Sequence, residues 1–179
     1  FIVNTRLKSL SLLAMTIAVS GCVSSNGMVS FNRPSSKEGL TTMERQLSMA
    51  RLGERHGQTA TAHKIYEKVL LQDADNVEAL HRLGVMSAKT QDYETAISYL
   101  TKAEMKDPSN VELLNDLGYA LFLTDDLSGA EEKLRLAIRL DPSHRAASNN
   151  LGLVLGNAGR WDECIVQCKR AVSEAEAYA

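Results

Sequence analysis

Cysteine is the residue type in this 179-residue chain with the most chemistry to offer, and there are three. Cys22 stands alone behind an apolar run, whereas Cys164 and Cys168 are four apart and share one face of any helix that contains them. An odd number of cysteines does not make a disulfide framework. A metal or redox role for the late pair needs further ligands, and no histidine lies near it in sequence. The pair therefore reads as two buried free thiols acting as small hydrophobes, open to oxidation if the C-terminal hairpin frays. His56, His63, His81 and His144 fall into no metal-binding spacing, and the chain has no nucleophile elbow, phosphate loop or dinucleotide-binding glycine pattern. Glu131-Glu132 and Asp125-Asp126 fall in turns and helix starts, where solvation accounts for them. No catalytic constellation, metal site or cofactor is expected, and the chain is not expected to be an enzyme.

The elements that carry these residues begin with a leader. Arg6 and Lys8 precede the apolar run Leu10–Val19, which is too short for the roughly 20 residues of a membrane span. Val19-Ser20-Gly21-Cys22 follows at once. Small residues before the cysteine let enzymes at the membrane surface reach an extended backbone. The arrangement resembles the bacterial lipobox, which implies a signal peptide over 1–21, cleavage before Cys22 and acylation of its sulfur with palmitate-type chains. One chain is marginal at about 0.8 kcal/mol per buried CH₂, and more than one anchors stably. Val23, where an aspartate would imply inner-membrane retention, implies a lipid-anchored envelope protein at the outer membrane, facing the periplasm. The chain opens on Phe1, so the sequence is expected to begin within the signal. Residues 22–42 form the lipidated cysteine and a Ser-, Asn- and Gly-rich stretch with no helical or strand period, read as a flexible tether.

From residue 43 onward the chain repeats. Leu83-Gly84, Leu117-Gly118 and Leu151-Gly152 recur in steps of 34 residues. The same step aligns Ala62, Ala96, Ala130 and Cys164; Tyr66, Leu100, Leu134 and Cys168; and the turn column Gly57, Gln91, Asp125 and Gly159. Asp107-Pro108 and Asp141-Pro142 complete it. This pattern resembles the tetratricopeptide repeat (TPR), over repeats 43–76, 77–110, 111–144 and 145–178 of a domain spanning 43–179. The resemblance implies an all-α TPR superhelix of antiparallel helix pairs. The first repeat departs most, with Met49-Ala50 in place of Leu-Gly. Physical chemistry agrees: Tyr93, Ala96, Ile97, Leu100 and Ala103 make one apolar helical stripe. Asn76 and Asn110 are good N-caps, and His144 is read as a surface or capping residue. Glycines inside helices cost about 1 kcal/mol each relative to alanine, a cost set against close helix approach. Trp161 falls in a column expected in the core. No polar capping helix follows Ala171, so the natural protein is expected to continue, or its last hairpin to be covered by another subunit.

The TPR resemblance also implies that certain first-helix columns line a binding groove. Here they hold His81, Arg82 and Val85; Asn115, Asp116, Tyr119, Phe122 and Leu123; and Asn149, Asn150 and Leu153. Asparagine carries both donor and acceptor and can hold a ligand backbone, while Tyr119 and Phe122 offer an apolar anchor. Basic groups for a clamp on a partner's terminal carboxylates are confined to Arg82 and Lys89. The expected partner is a protein or peptide in this groove, with the membrane reached through the lipid and self-association possible through the C-terminal repeat. A net charge of −2, or −4 once residues 1–21 are removed, provides no basic footprint for nucleic acid. The runs Asn115-Asp116-Leu117-Gly118-Tyr119 and Asn149–Gly156 behind a lipobox are similar to TadD-type lipoproteins of Flp/Tad pilus assembly, implying assistance to a secretin or pilus. The alternatives are a scaffold for peptidoglycan enzymes, or the interaction region of a longer enzyme such as a glycosyltransferase.

Overall fold

A computed structural model describes residues 41–176, with side chains through Arg170. The signal reading over 1–21, Cys22 and the tether up to residue 40 lie outside the described residues. Within them are eight α-helices: α1 Thr42–Arg55, α2 Thr59–Gln72, α3 Val77–Lys89, α4 Tyr93–Lys106, α5 Val111–Leu123, α6 Leu127–Leu140, α7 Arg145–Asn157 and α8 Trp161–Glu176. Consecutive helices pair as hairpins, and each hairpin stacks on the next, a TPR superhelix.

Local chemistry explains the punctuation. Asn76 and Asn110 accept the N–H of Ala79 and Leu113 at 3.1 and 3.2 Å, closing the exposed N-termini of α3 and α5. His144 does the same for α7 through Nδ1, 3.0 Å from the Ala147 nitrogen. Helix α1 starts at Thr42, inside the stretch assigned to the tether. The reason is Thr41, whose hydroxyl and backbone N–H form a reciprocal capping box with Glu44. The turn column Gly57, Gln91, Asp125 and Gly159 is left-handed throughout, with φ of 72°, 65°, 63° and 71°. Glycine takes that backbone freely, whereas Gln91 and Asp125 hold it at a cost of about 1 kcal/mol.

Packing follows the repeat. Tyr66 and Val69 of α2 are buried with Leu47, Ala50, Ala79 and Leu83; Leu100 and Ala103 of α4 with Leu80, Leu113 and Leu117; Leu134 and Ala137 of α6 with Leu114, Leu151 and Leu155. Each core thus joins a second helix to its own first helix and to the first helix that follows. Gly84 and Gly118 make this possible, because a Cβ there would sit 2.6 and 2.7 Å from Cγ of Leu100 and Leu134. Fully burying such a leucine contributes about 1.5–3 kcal/mol.

Two expectations fail at the last hairpin. Trp161 is 66% exposed rather than in the core. Cys164 is half-buried and Cys168 exposed, rather than both buried. The cause is shared: α2, α4 and α6 each have a following first helix against them, and among the described residues no following helix packs on α8.

Candidate functional site on the first-helix face

The first helices α3, α5 and α7 meet through polar side chains in the groove columns. His81 Nε2 lies 2.8 Å from Asp116 Oδ2. Asn115 Nδ2 donates to Asp116 Oδ1 at 3.2 Å, and Asn150 Nδ2 donates to Asn115 Oδ1 at 2.9 Å. Asn115 is buried, and both its carbonyl and its amino group are bonded within the fold. It braces neighbouring helices, and the same holds for Asn150 and His81. Asn149, one residue before Asn150, is exposed.

Arg82 is engaged in the same way. Its guanidinium donates twice to Glu54 of α1, through Nε at 2.9 Å to Oε1 and through a close second contact to Oε2. Tyr66 Oη donates to the same Oε1 at 2.8 Å. Burial pushes the Glu54 carboxyl up, but the hydrogen bonds from Arg82 and Tyr66 and the Arg82 charge outweigh it and hold the group below its ordinary value. Burial first, and Glu54 beside it second, push the Tyr66 phenol well above its usual range. Arg82 is therefore a fixed internal cation, joined to a carboxylate that the groove columns of the first repeat would have revealed.

What stays open is apolar. A cleft of about 370 Å³ lies between α3, α4 and α5, lined by Val85, Ala88, Tyr93, Leu100, Tyr119 and Leu123, with Lys89, Gln91 and Asp116 as its polar members. That is the small end of the range for ligand pockets, room for one or two side chains. Tyr119 is 40% exposed. Its ring centroid is 6.3 Å from that of Phe122. Phe122 is half-buried and packs on the core under α5, so it supports Tyr119 from behind. Leu153 on α7 is 53% exposed. Of the expected groove residues, Val85, Asp116, Tyr119 and Leu123 come together in the cleft, while His81, Arg82, Asn115 and Asn150 brace helices. Tyr93 also lines the cleft, and the only sequence signal for it is its place at the head of the apolar stripe of α4.

Among the described residues, no three of His, Cys, Asp and Glu are grouped to hold a metal ion. None of the described helices is long and apolar enough to cross a membrane.

Comparison with known proteins places this geometry. Two tetratricopeptide-repeat family models match, one over 47–111 and the other over 87–147. No curated protein sequence matches the chain. Solved structures of MamA share the architecture: one is 28% identical with a TM-score of 0.68, covering 75% of this chain and 73% of its own. Another is 21% identical with a TM-score of 0.70, covering 76% and 80%. MamA from Desulfovibrio magneticus, residue 41 to the end, is 19% identical with a TM-score of 0.69, covering 75% and 76%. With the two matches spanning 47–147 of an all-helical array of stacked hairpins, the chain belongs to the tetratricopeptide-repeat family.

Proposed function

We propose that this chain is a lipid-anchored adaptor of the bacterial envelope that holds a protein partner on its first-helix face. The observation that carries the adaptor reading is the cleft between α3, α4 and α5: apolar, open, and flanked by one carboxylate and one ammonium group. Because His81 is bonded to Asp116 and Asn150 to Asn115, these side chains already have partners within the fold, and a ligand that covers them leaves fewer polar groups unpaired than free ones would. Affinity then rests on an apolar side chain seated against Val85 and Tyr119, with Asp116 and Lys89 setting its orientation. An extended peptide or a partner helix satisfies this requirement equally.

The finer reading rests on sequence. The lipobox resemblance at Cys22 supports attachment to the outer membrane facing the periplasm, and the likeness to TadD-type lipoproteins supports assistance to a Flp/Tad pilus or its secretin. The test is a crosslinking pull-down of the full chain from its own cells, run beside Cys22→Ser and Tyr119→Ala forms. Cys22→Ser should release the protein from the membrane, and Tyr119→Ala should weaken the partner by about thirtyfold, as loss of a 2 kcal/mol anchor does. Secretin or pilus subunits lost on changing Tyr119 support the pilus reading. Recovery of peptidoglycan enzymes instead overturns the pilus role and keeps the adaptor; a partner indifferent to Tyr119 overturns the adaptor.

A further inference from the structure

Cys164 and Cys168 lie on α8, away from the cleft, and the adaptor reading does not use them. In the three preceding hairpins the same two columns hold Ala62 and Tyr66, Ala96 and Leu100, Ala130 and Leu134, each with no exposure at all. Thiols acting as small hydrophobes would share that burial. Instead Cys164 is half-buried and Cys168 exposed, with their Sγ atoms 4.0 Å apart. One helical turn puts both sulfurs on one face, and α7 backs them with bare glycine. A Cβ on Gly152 would stand 3.0 Å from Cys168 Sγ, and one on Gly156 would stand 3.5 Å from Cys164 Sγ.

We infer that Cys164 and Cys168 form a two-thiolate site for a soft, thiophilic cation of the zinc, cadmium or copper(I) class. A tetrahedral ion with metal–sulfur bonds of about 2.3 Å holds two sulfurs about 3.8 Å apart. The observed 4.0 Å needs only a small rotation to meet that bite. Soft thiolate donors select these ions over magnesium, calcium or manganese. Among the described residues no third His, Cys, Asp or Glu joins the pair, and water can fill the remaining positions of a tetrahedral ion.

Binding balances without an electron transfer. Each S–H releases its proton to solvent as a metal–sulfur bond forms, so about two protons leave per ion. Partial desolvation against α7, and then Cys164 beside it, push the Cys168 thiol above its ordinary value. Because each thiol must lose its proton to bind, metal uptake climbs with pH. A disulfide is a different outcome, because the sulfurs would have to close to about 2.05 Å.

The experiment uses the full chain, reduced with a phosphine and kept free of oxygen, titrated with cadmium while sulfur-to-metal absorbance and released protons are followed. The expected result is about one cadmium per chain, unchanged by Cys22→Ser and weakened roughly tenfold or more by Cys164→Ser or Cys168→Ser. Far-UV circular dichroism checks that the serine forms fold, and Cys168→His, which supplies a metal-binding imidazole nitrogen in place of the sulfur, should recover part of the affinity. Absence of the absorbance band overturns the site, as does a band that survives both serine variants or one that vanishes with Cys22→Ser.

Discussion

Leu134 and Cys168 occupy the same column one repeat apart, each facing a glycine of its own first helix, yet they end in different surroundings. Leu134 is fully buried, and its Cγ and Cδ2 fill the space that a Cβ on Gly118 would need, at 2.7 and 3.1 Å. Cys168 is exposed, and only its Sγ, at 3.0 Å, approaches the equivalent point at Gly152. The pairing of helices within a hairpin is the same in both cases. What differs is the neighbour: α7 lies against α6, and among the described residues nothing comparable lies against α8. In a stacked array the hairpin is specified locally, but the depth of its core is supplied by the repeat that follows.

The largest effect should come from truncating the two residues in turn. Leu134→Ala should cost about 2–5 kcal/mol, since it empties a closed site, while Cys168→Ala should cost less than about 1 kcal/mol. Urea denaturation of both variants measures this, and equal losses would break the contrast between the interior and the last hairpin.

A smaller effect is expected at the facing glycines, where two terms compete. Alanine gains about 1 kcal/mol over glycine in a helix, and overpacking costs about 1–3 kcal/mol. At Gly118 the added methyl meets Leu134 Cγ at 2.7 Å and the Ala130 carbonyl oxygen at 3.3 Å, so Gly118→Ala should be a net loss of about 1–2 kcal/mol. At Gly152 the nearest atom is the Cys168 sulfur at 3.0 Å, which has room to turn away, so Gly152→Ala should be neutral or mildly stabilising. Thermal melts of the pair decide it: a strongly destabilised Gly152→Ala would mean that α8 is held as tightly as α6.

The smallest contrast is electrostatic. Both ends of the array are joined to a neighbour by arginine and glutamate, Arg82 to Glu54 near the start and Arg160 to Glu131 and Glu163 near the end. The first pair is half-buried and shares a hydrogen bond with Tyr66, so Arg82→Ala should cost about 1–2 kcal/mol. Arg160→Ala should move the unfolding midpoint less, because Glu163 is exposed and Glu131 is less buried than Glu54, so water and salt screen the cluster more. The Glu54 carboxyl lies below its ordinary value of 4.5, so its contribution is complete above that pH and is lost as pH falls through the depressed value. Acid unfolding from about pH 4.5 downward should therefore be less steep in Arg82→Ala than in the unchanged protein. Identical acid profiles would show that Glu54 gains nothing from its partner.

The array was readable from residues alone because its causes are local and repeated. The step of 34, the Leu-Gly pairs, the caps at Asn76 and Asn110 and the turn column each depend on a few neighbours in sequence. The groove was readable only as a set of columns. Which members would be consumed in bracing the helices depended on their opposite numbers: Asp116 across from His81, Asn115 from Asn150, and Glu54 from Arg82.

Sequence by itself determined that the chain folds as helical hairpins in register, because capping, helical periodicity and the small residues at close approaches act within one repeat. Tertiary structure alone decided that Val85, Tyr93, Tyr119 and Leu123 converge on one cleft. It also decided that Tyr66 is buried while Cys168 is not. Burial and polar pairing belong to the space between repeats, and that space exists only once one hairpin has been laid against the next.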